Sequence, residues 1–227
     1  MKLLTVPGVF RPRSDSRMLA AQVVERARPG ISFLDPFTGS GILAIAAAEA
    51  GASATAVDIS RRAVACASLN ARLNRVRVRA LRGDLFSPVA GERFDLIAAN
   101  PPYIPSVDDD PARGAARAWD AGVDGRALID RLCRSAAGHL TPGGRLLLTH
   151  SSVCGPDETS TLLARAGLEV EVLERVRGPL GPLMEARTEM LARRGLLAPR
   201  SGEEEVLIFE ARAPQGSASR TRVPLSA

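Results

Sequence analysis

The stretch "ISFLDPFTGSGILAIAAAEAGASATAVD", residues 31–58, decides the fold. It opens with a short apolar run that ends on an acid, Asp35, and passes through a Gly-Ser-Gly turn into an alanine-rich helical pattern. A second apolar run then ends on another acid, Asp58. Strand, turn, helix, strand at this spacing is the unit of a parallel α/β sheet.

The same alternation extends in both directions. Before it, "SDSRMLAAQVVERA" (14–27) predicts an amphipathic helix over 14–28, with Ser14 or Asp15 at its start and Pro29-Gly30 after its end. After it come the helix "SRRAVACASLNARLN", a third strand in "RVRVRALRGD" and a fourth in "RFDLIAAN" (93–100). The helix "GRALIDRLCRSAAGHL", a turn at "TPGG" and a fifth strand, "RLLLTH" (145–150), follow. "DETSTLLARAG" reads as a helix, with strands at "LEVEVLERV" and "EEEVLIFEAR". The expectation is one domain over residues 1–212. The tail at 213–227 lacks an apolar pattern and is expected to be disordered.

Composition narrows the function classes. Apolar content of 45% and charged content of 24% over 227 residues suit an ordinary globular domain. No apolar run approaches a membrane span, and "MKLLTVPGVF" is a poor signal peptide, so a cytoplasmic location is expected. Cys66, Cys133 and Cys154 lie far apart with no CxxC spacing, which argues against a metal site or a disulfide framework. The net charge of +5 invites a nucleic-acid reading, but Lys2 is the one lysine and the arginines are scattered. The densest group, at 75–82, alternates Arg with apolar residues as a half-buried strand does.

In open parallel sheets ligands bind beyond the carboxyl ends of the strands. Asp35, Asp58 and Asn100 end three strands and Asp84 closely follows another, so four polar groups converge on one edge. Gly39 and Gly41 let the backbone pass close to a ligand. Asp58 can accept from both hydroxyls of a ribose, which fits a dinucleotide or S-adenosylmethionine equally. The loop has neither GxGxxG nor GK[ST], so phosphate cradling is disfavoured. Asp35 would repel a pyrophosphate and suits an ammonium or a sulfonium. Asp84 would face an adenine amine. Together the acids favour S-adenosylmethionine.

"NPPY" (100–103) supplies the other half. A planar nitrogen is a poor nucleophile, and a site that methylates it should bind both its hydrogens. The Asn100 oxygen can accept one and the Pro101 carbonyl the other, Pro102 stiffens the pair, and Tyr103 can stack on the planar group. His150, at a strand end, invites a general-base role that this chemistry does not need. Trp119 is expected beneath the substrate loop, Cys66 and Cys133 in the core. "VDDDPARGAARA" (107–118) is expected to flank the site as a mobile loop whose acids disfavour a nucleic-acid partner.

With "DPFTGSG" and "NPPY" in place, the sequence resembles the class I methyltransferases, with their Rossmann-like, seven-stranded, mostly parallel sheet and helices on both faces. Within them it resembles the protein-glutamine N5-methyltransferases that modify release factors. "VFRPRSDSRMLA" (9–20) and "AWDAGVDGRALIDRL" (118–132) are similar to that family's segments. The resemblance implies contacts to S-adenosyl-L-methionine from Ser16, Asp35, Phe37, Thr38, Gly39, Gly41, Asp58, Ile59, Asp84, Leu85 and Asn100. Asn100, Pro101, Pro102 and Tyr103 would hold the substrate amide, and no metal is implied.

Pro36 and Phe37 depart from the smaller residues usual there, and "DPF.GSG" is closer to some nucleic-acid amino-methyltransferases. The compact chain, without the bacterial enzymes' helical N-terminal domain, resembles the eukaryotic and archaeal branch that acts with a small activating subunit. The expected partner is a protein substrate such as a release factor, or a small molecule. N6-adenine methylation and a non-catalytic cofactor-binding module are the other readings.

Overall fold

The structure, a computed structural model, describes residues 1–107, 119–198 and 201–215. Seven strands form one sheet in the order β3-β2-β1-β4-β5-β7-β6. They are β1 (Ser32–Asp35), β2 (Ser53–Asp58), β3 (Val78–Arg82), β4 (Phe94–Ala99), β5 (Leu140–Ser151), β6 (Glu169–Pro179) and β7 (Glu203–Arg212). Every pairing from β3 across to β5 is parallel, and β7 runs antiparallel to both its neighbours.

Side chains two apart along a strand share a face, and that period divides the core into two layers. Phe33, Leu96, Ala98, Leu147 and Ile208 join Leu19 and Val23 of α1 (Ser14–Arg26) and the apolar run of α2 (Ile42–Glu49). Leu34, Ile97, Ala99, Leu146, Leu148 and Phe209 pack on the other face with Ile129 and Leu132 of α4 (Ala127–Ser135) and Leu163 of α5 (Pro156–Arg165). Helix α3 (Arg61–Leu73) packs over β2 and β3. This is the expected architecture, with helices on both faces.

Three local expectations change. The turn expected at "TPGG" is a bulge inside β5. Phe94 pairs with Leu140 and Leu96 with Arg145, so residues 141–144 stand opposite Asp95 alone, three more than an unbroken ladder holds, and Gly143 at φ +74° makes the bend. Two short helices missed in the sequence, α6 (Pro182–Glu185) and α7 (Thr188–Arg193), join β6 to β7. The tail starts ordered: Ala213 N donates to Gly144 O and Gly143 N to Pro214 O, which extends the strand. Residues 216–227, and 108–118 of the expected mobile loop, lie outside the described residues.

Strand order reverses between β1 and β4, with β2 on one side and β5 on the other. A crevice opens at the carboxyl ends of such a pair, because the connecting helices leave on opposite faces. Asp35 and Asn100 stand at its two lips.

Candidate active site

A cavity of about 990 Å³ occupies this crevice. Of the residues predicted for the site, Ser16, Asp35, Phe37, Thr38, Gly39, Asp58, Ile59, Asp84, Leu85, Asn100, Pro101, Pro102 and Tyr103 all line it. Gly41 is not among the lining residues. Its φ is +90°, and a Cβ there would lie 3.1 Å from both Cα and Cβ of Ala67, so its lack of a side chain lets α2 start against α3. Gly39, at φ +50°, has nothing within 4 Å of a Cβ position and leaves open space for a ligand.

The glycine loop is held from below. Thr38 N donates to Val57 O at 2.9 Å. Gly39 N donates to Asp58 Oδ2 at 2.9 Å and Ser60 N to Asp58 Oδ1 at 2.8 Å. Burial pushes the Asp58 carboxyl up, and these two backbone bonds partly offset that. Each oxygen still has a lone pair for a ligand hydroxyl. Asp35 is fully buried, and Oδ1 accepts from Phe37 N at 3.2 Å while Oδ2 has no partner among the described residues. Burial raises its pKa to about 7. A buried carboxylate oxygen without a partner, beside an open glycine turn, fits a cationic ligand group. Asp84, half exposed, pairs with Arg131 at 2.7 Å on the outer wall.

The far side of the cavity is organised by a residue that the sequence reading assigned to the start of a helix. Helix α1 begins at Ser14, but its cap residue is Arg13 and no side chain caps it. Asp15 instead turns inward, 5% exposed. Its Oδ2 accepts from Asn100 Nδ2 at 3.1 Å and from the Tyr103 hydroxyl at 3.0 Å, and its Oδ1 accepts from Ser16 N at 2.6 Å. Ser16 Oγ accepts a second bond from Asn100 Nδ2 at 3.0 Å. A carboxylate can only accept, so the Asn100 amide must turn its NH2 toward Asp15. Its Oδ1 has no protein partner among the described residues and is left as an acceptor on a cavity-lining side chain. Burial, and then the Asp15 charge, push the Tyr103 phenol well above its usual pKa and keep it a neutral donor.

The exit from NPPY is clamped. Ile104 N donates to Trp119 O at 2.9 Å and Cys154 Sγ to Tyr103 O at 3.0 Å. Arg187 reaches Pro105 O and Asp120 from the segment between α6 and α7. Helix α6, the residue before it and the start of β7 complete the cavity wall with Met184, Gly181 and Glu204. Nothing in their sequence pattern marked them. His150 does not face the site. It is fully buried, its Nε2 lies 2.9 Å from Thr159 Oγ1, and burial lowers its pKa to about 4. Cys66 and Cys133 are buried, as expected.

Residues 1–115 match the methyltransferase small domain family. A Methanocaldococcus jannaschii protein named as a protein N5-glutamine methyltransferase is 36% identical over 186 residues, covering 81% of this chain and 93% of that one. The release factor glutamine methyltransferase of Bordetella pertussis is 36% identical over 194 residues, covering 76% of this chain and 70% of its own. The chain spans 55% of the corresponding Geobacter sulfurreducens protein, at 34% identity over 65% of its own residues. Among solved structures, the E. cuniculi Mtq2–Trm112 complex, described as responsible for methylating the termination factor eRF1, superposes with a TM-score of 0.64. That match covers 91% of this chain and 99% of the other at 22% identity, which shows the shared fold. The chain therefore belongs to the methyltransferase small domain family and is an S-adenosylmethionine-dependent methyltransferase.

Proposed function

We propose that the protein methylates the side-chain amide nitrogen of a glutamine in a protein substrate, a release factor. The observation that carries this is the fixed Asn100 amide, whose NH2 is held by Asp15 and Ser16. An Asn held this way offers a carbonyl acceptor, which a substrate –NH2 requires. The names of the three relatives above support glutamine as the residue modified.

Bound S-adenosylmethionine supplies a methyl group on a positively charged sulfur. Asp35 would face the cofactor's cationic end, Asp58 its ribose, and Ile59 and Leu85 the apolar faces of its base. Asn100 Oδ1 and the Pro101 carbonyl would accept the two amide hydrogens and hold the nitrogen toward the methyl group. Positive charge would grow on that nitrogen as the N–CH3 bond formed and the S–CH3 bond broke. The two acceptor dipoles, backed by the Asp15 charge, favour that change, and because they are already oriented they need no reorganisation. One N–H proton then leaves to water. This reading puts the enzyme in the cytoplasm, where translation takes place.

Incubation of a recombinant release factor with the protein and S-adenosylmethionine, read by intact mass, tests the proposal, with Asn100→Ala beside it. A gain of one methyl, mapped to a glutamine and absent with the variant, is expected. A parallel arm adds a small partner subunit of the Trm112 kind, and another offers adenine-containing RNA. Methylation of the RNA alone would replace glutamine with adenine as the substrate.

A further inference from the structure

Buried polar atoms that a free protein leaves without hydrogen bonds mark places where a ligand supplies the partner. Among the described residues these atoms belong to Asp35, Thr38, Ser40, Glu204, Arg126 and Asp130. Arg126 and Asp130 satisfy each other as an ion pair at 2.8 Å, and Arg126 also meets Glu158 at 3.3 Å. The other four all line the active-site cavity. Asp35, Thr38 and Ser40 sit at the glycine loop, on the cofactor side. Glu204, at the start of β7, stands apart from them on the wall that carries Met184 and Gly181.

Glu204 is fixed in place. Its Oε1 accepts from Gly181 N at 3.0 Å, while its Oε2 is buried without a partner. It belongs to the substrate half: Gly181, which holds it, follows Leu180, and Leu180 and Met184 pack in one cluster with Tyr103. A Cβ at Gly181 would lie 3.6 Å from Arg13 Nη1 and 3.8 Å from Glu204 Oε1, so a guanidinium stands on the same side of the cavity, outside ion-pair distance of the carboxylate. With a positive charge already in that neighbourhood, the remaining oxygen suits an uncharged N–H better than a second cation.

We infer that Glu204 is a second substrate acceptor, taking the main-chain N–H of a residue adjacent to the methylated glutamine. The inference rests on the protein-glutamine reading and deepens it. Asn100 and Pro101 would hold the side-chain amide while Glu204 holds the backbone that bears it. The enzyme would then discriminate by the course of the peptide chain as well as by the glutamine itself.

The test uses the full chain and a short glutamine peptide drawn from a release factor, with single backbone N-methyl groups placed at the glutamine's neighbours. In the wild type, one N-methylated position should raise KM about tenfold with kcat within twofold. Glu204→Gln, whose amide oxygen can still accept from Gly181, should raise KM for the parent peptide by a similar factor. It should add nothing further on that N-methylated peptide, and cofactor affinity should not change. A wild-type KM indifferent to every N-methyl group overturns the inference without needing any variant. Additive effects of the variant and the N-methyl group overturn it too, as does a Glu204→Gln effect that appears only on peptides with a neighbouring Lys or Arg. Wild type that methylates no glutamine peptide at all would instead remove the protein-glutamine reading, and this inference with it.

Discussion

The Asp15 carboxylate and the Asn100 amide, 85 residues apart in the chain, meet at 3.1 Å and fix which way the amide points. Asparagine can present either an acceptor or a donor to a substrate, and Asp15 permits one of the two. Replacing it with Asn allows the Asn100 amide to turn over. Asp15→Asn should therefore lower kcat about 100-fold, the usual scale for losing one oriented dipole at a reacting centre. Calorimetry should show cofactor affinity within threefold of wild type. Combining it with Asn100→Ala should add little further loss, because both changes remove the same acceptor.

Asp35 makes cofactor affinity pH-dependent. Its pKa of about 7 stands above the ordinary carboxylate value because of burial, so the free protein binds a proton there below pH 7. A cationic ligand prefers the ionised form. Affinity for S-adenosylmethionine should thus weaken as pH falls below 7, approaching about tenfold per unit. Proton release on binding, read by calorimetry in buffers of different ionisation enthalpy, should be measurable near pH 6.5. The same shift makes the cofactor-free protein lose stability as pH rises from about 4 to 7, and no further above it.

His150 should show the opposite stability trend and no catalytic one. Its folded pKa of about 4 lies below the ordinary value, so its contribution is complete above pH 6.5 and lost as pH falls toward 4. His150→Leu should destabilise by about 1–3 kcal/mol through the hydrogen bond lost at Thr159. Denaturant melts measure that loss, and kcat under conditions where the variant is folded should stay within a few-fold.

The two glycines of the loop should separate cleanly. Gly41→Ala places a Cβ 3.1 Å from Ala67 in a left-handed conformation and should lower stability by about 1–2 kcal/mol or more. Gly39→Ala meets no protein atom, so it should cost less stability and more cofactor affinity. Thermal melts with and without cofactor compare them directly.

The parts of this molecule that were legible in the sequence are those governed by local period. The strand–turn–helix–strand unit at 31–58 reads correctly because alternation, glycine and strand-end acids all act over a few residues. Asn100 was legible because two prolines isolate it. Asp15 was not, since an Asp-Ser pair ahead of an apolar helix looks the same whether it caps that helix or reaches inward to a residue 85 positions away. Glu204 sits in "EEE", which reads as a solvated charge run until β7 is paired and Gly181 is brought to it. Helices α6 and α7 are four and six residues long, too short for a helical period to register.

The most direct test of the central claim is the single-turnover rate of methyl transfer in Asn100→Ala, measured with the cofactor saturating and its occupancy verified. A fall of about 100-fold or more at full occupancy is predicted, because the variant binds cofactor but no longer presents the acceptor. Transfer within a few-fold of wild type would contradict the account and move the chemistry away from Asn100.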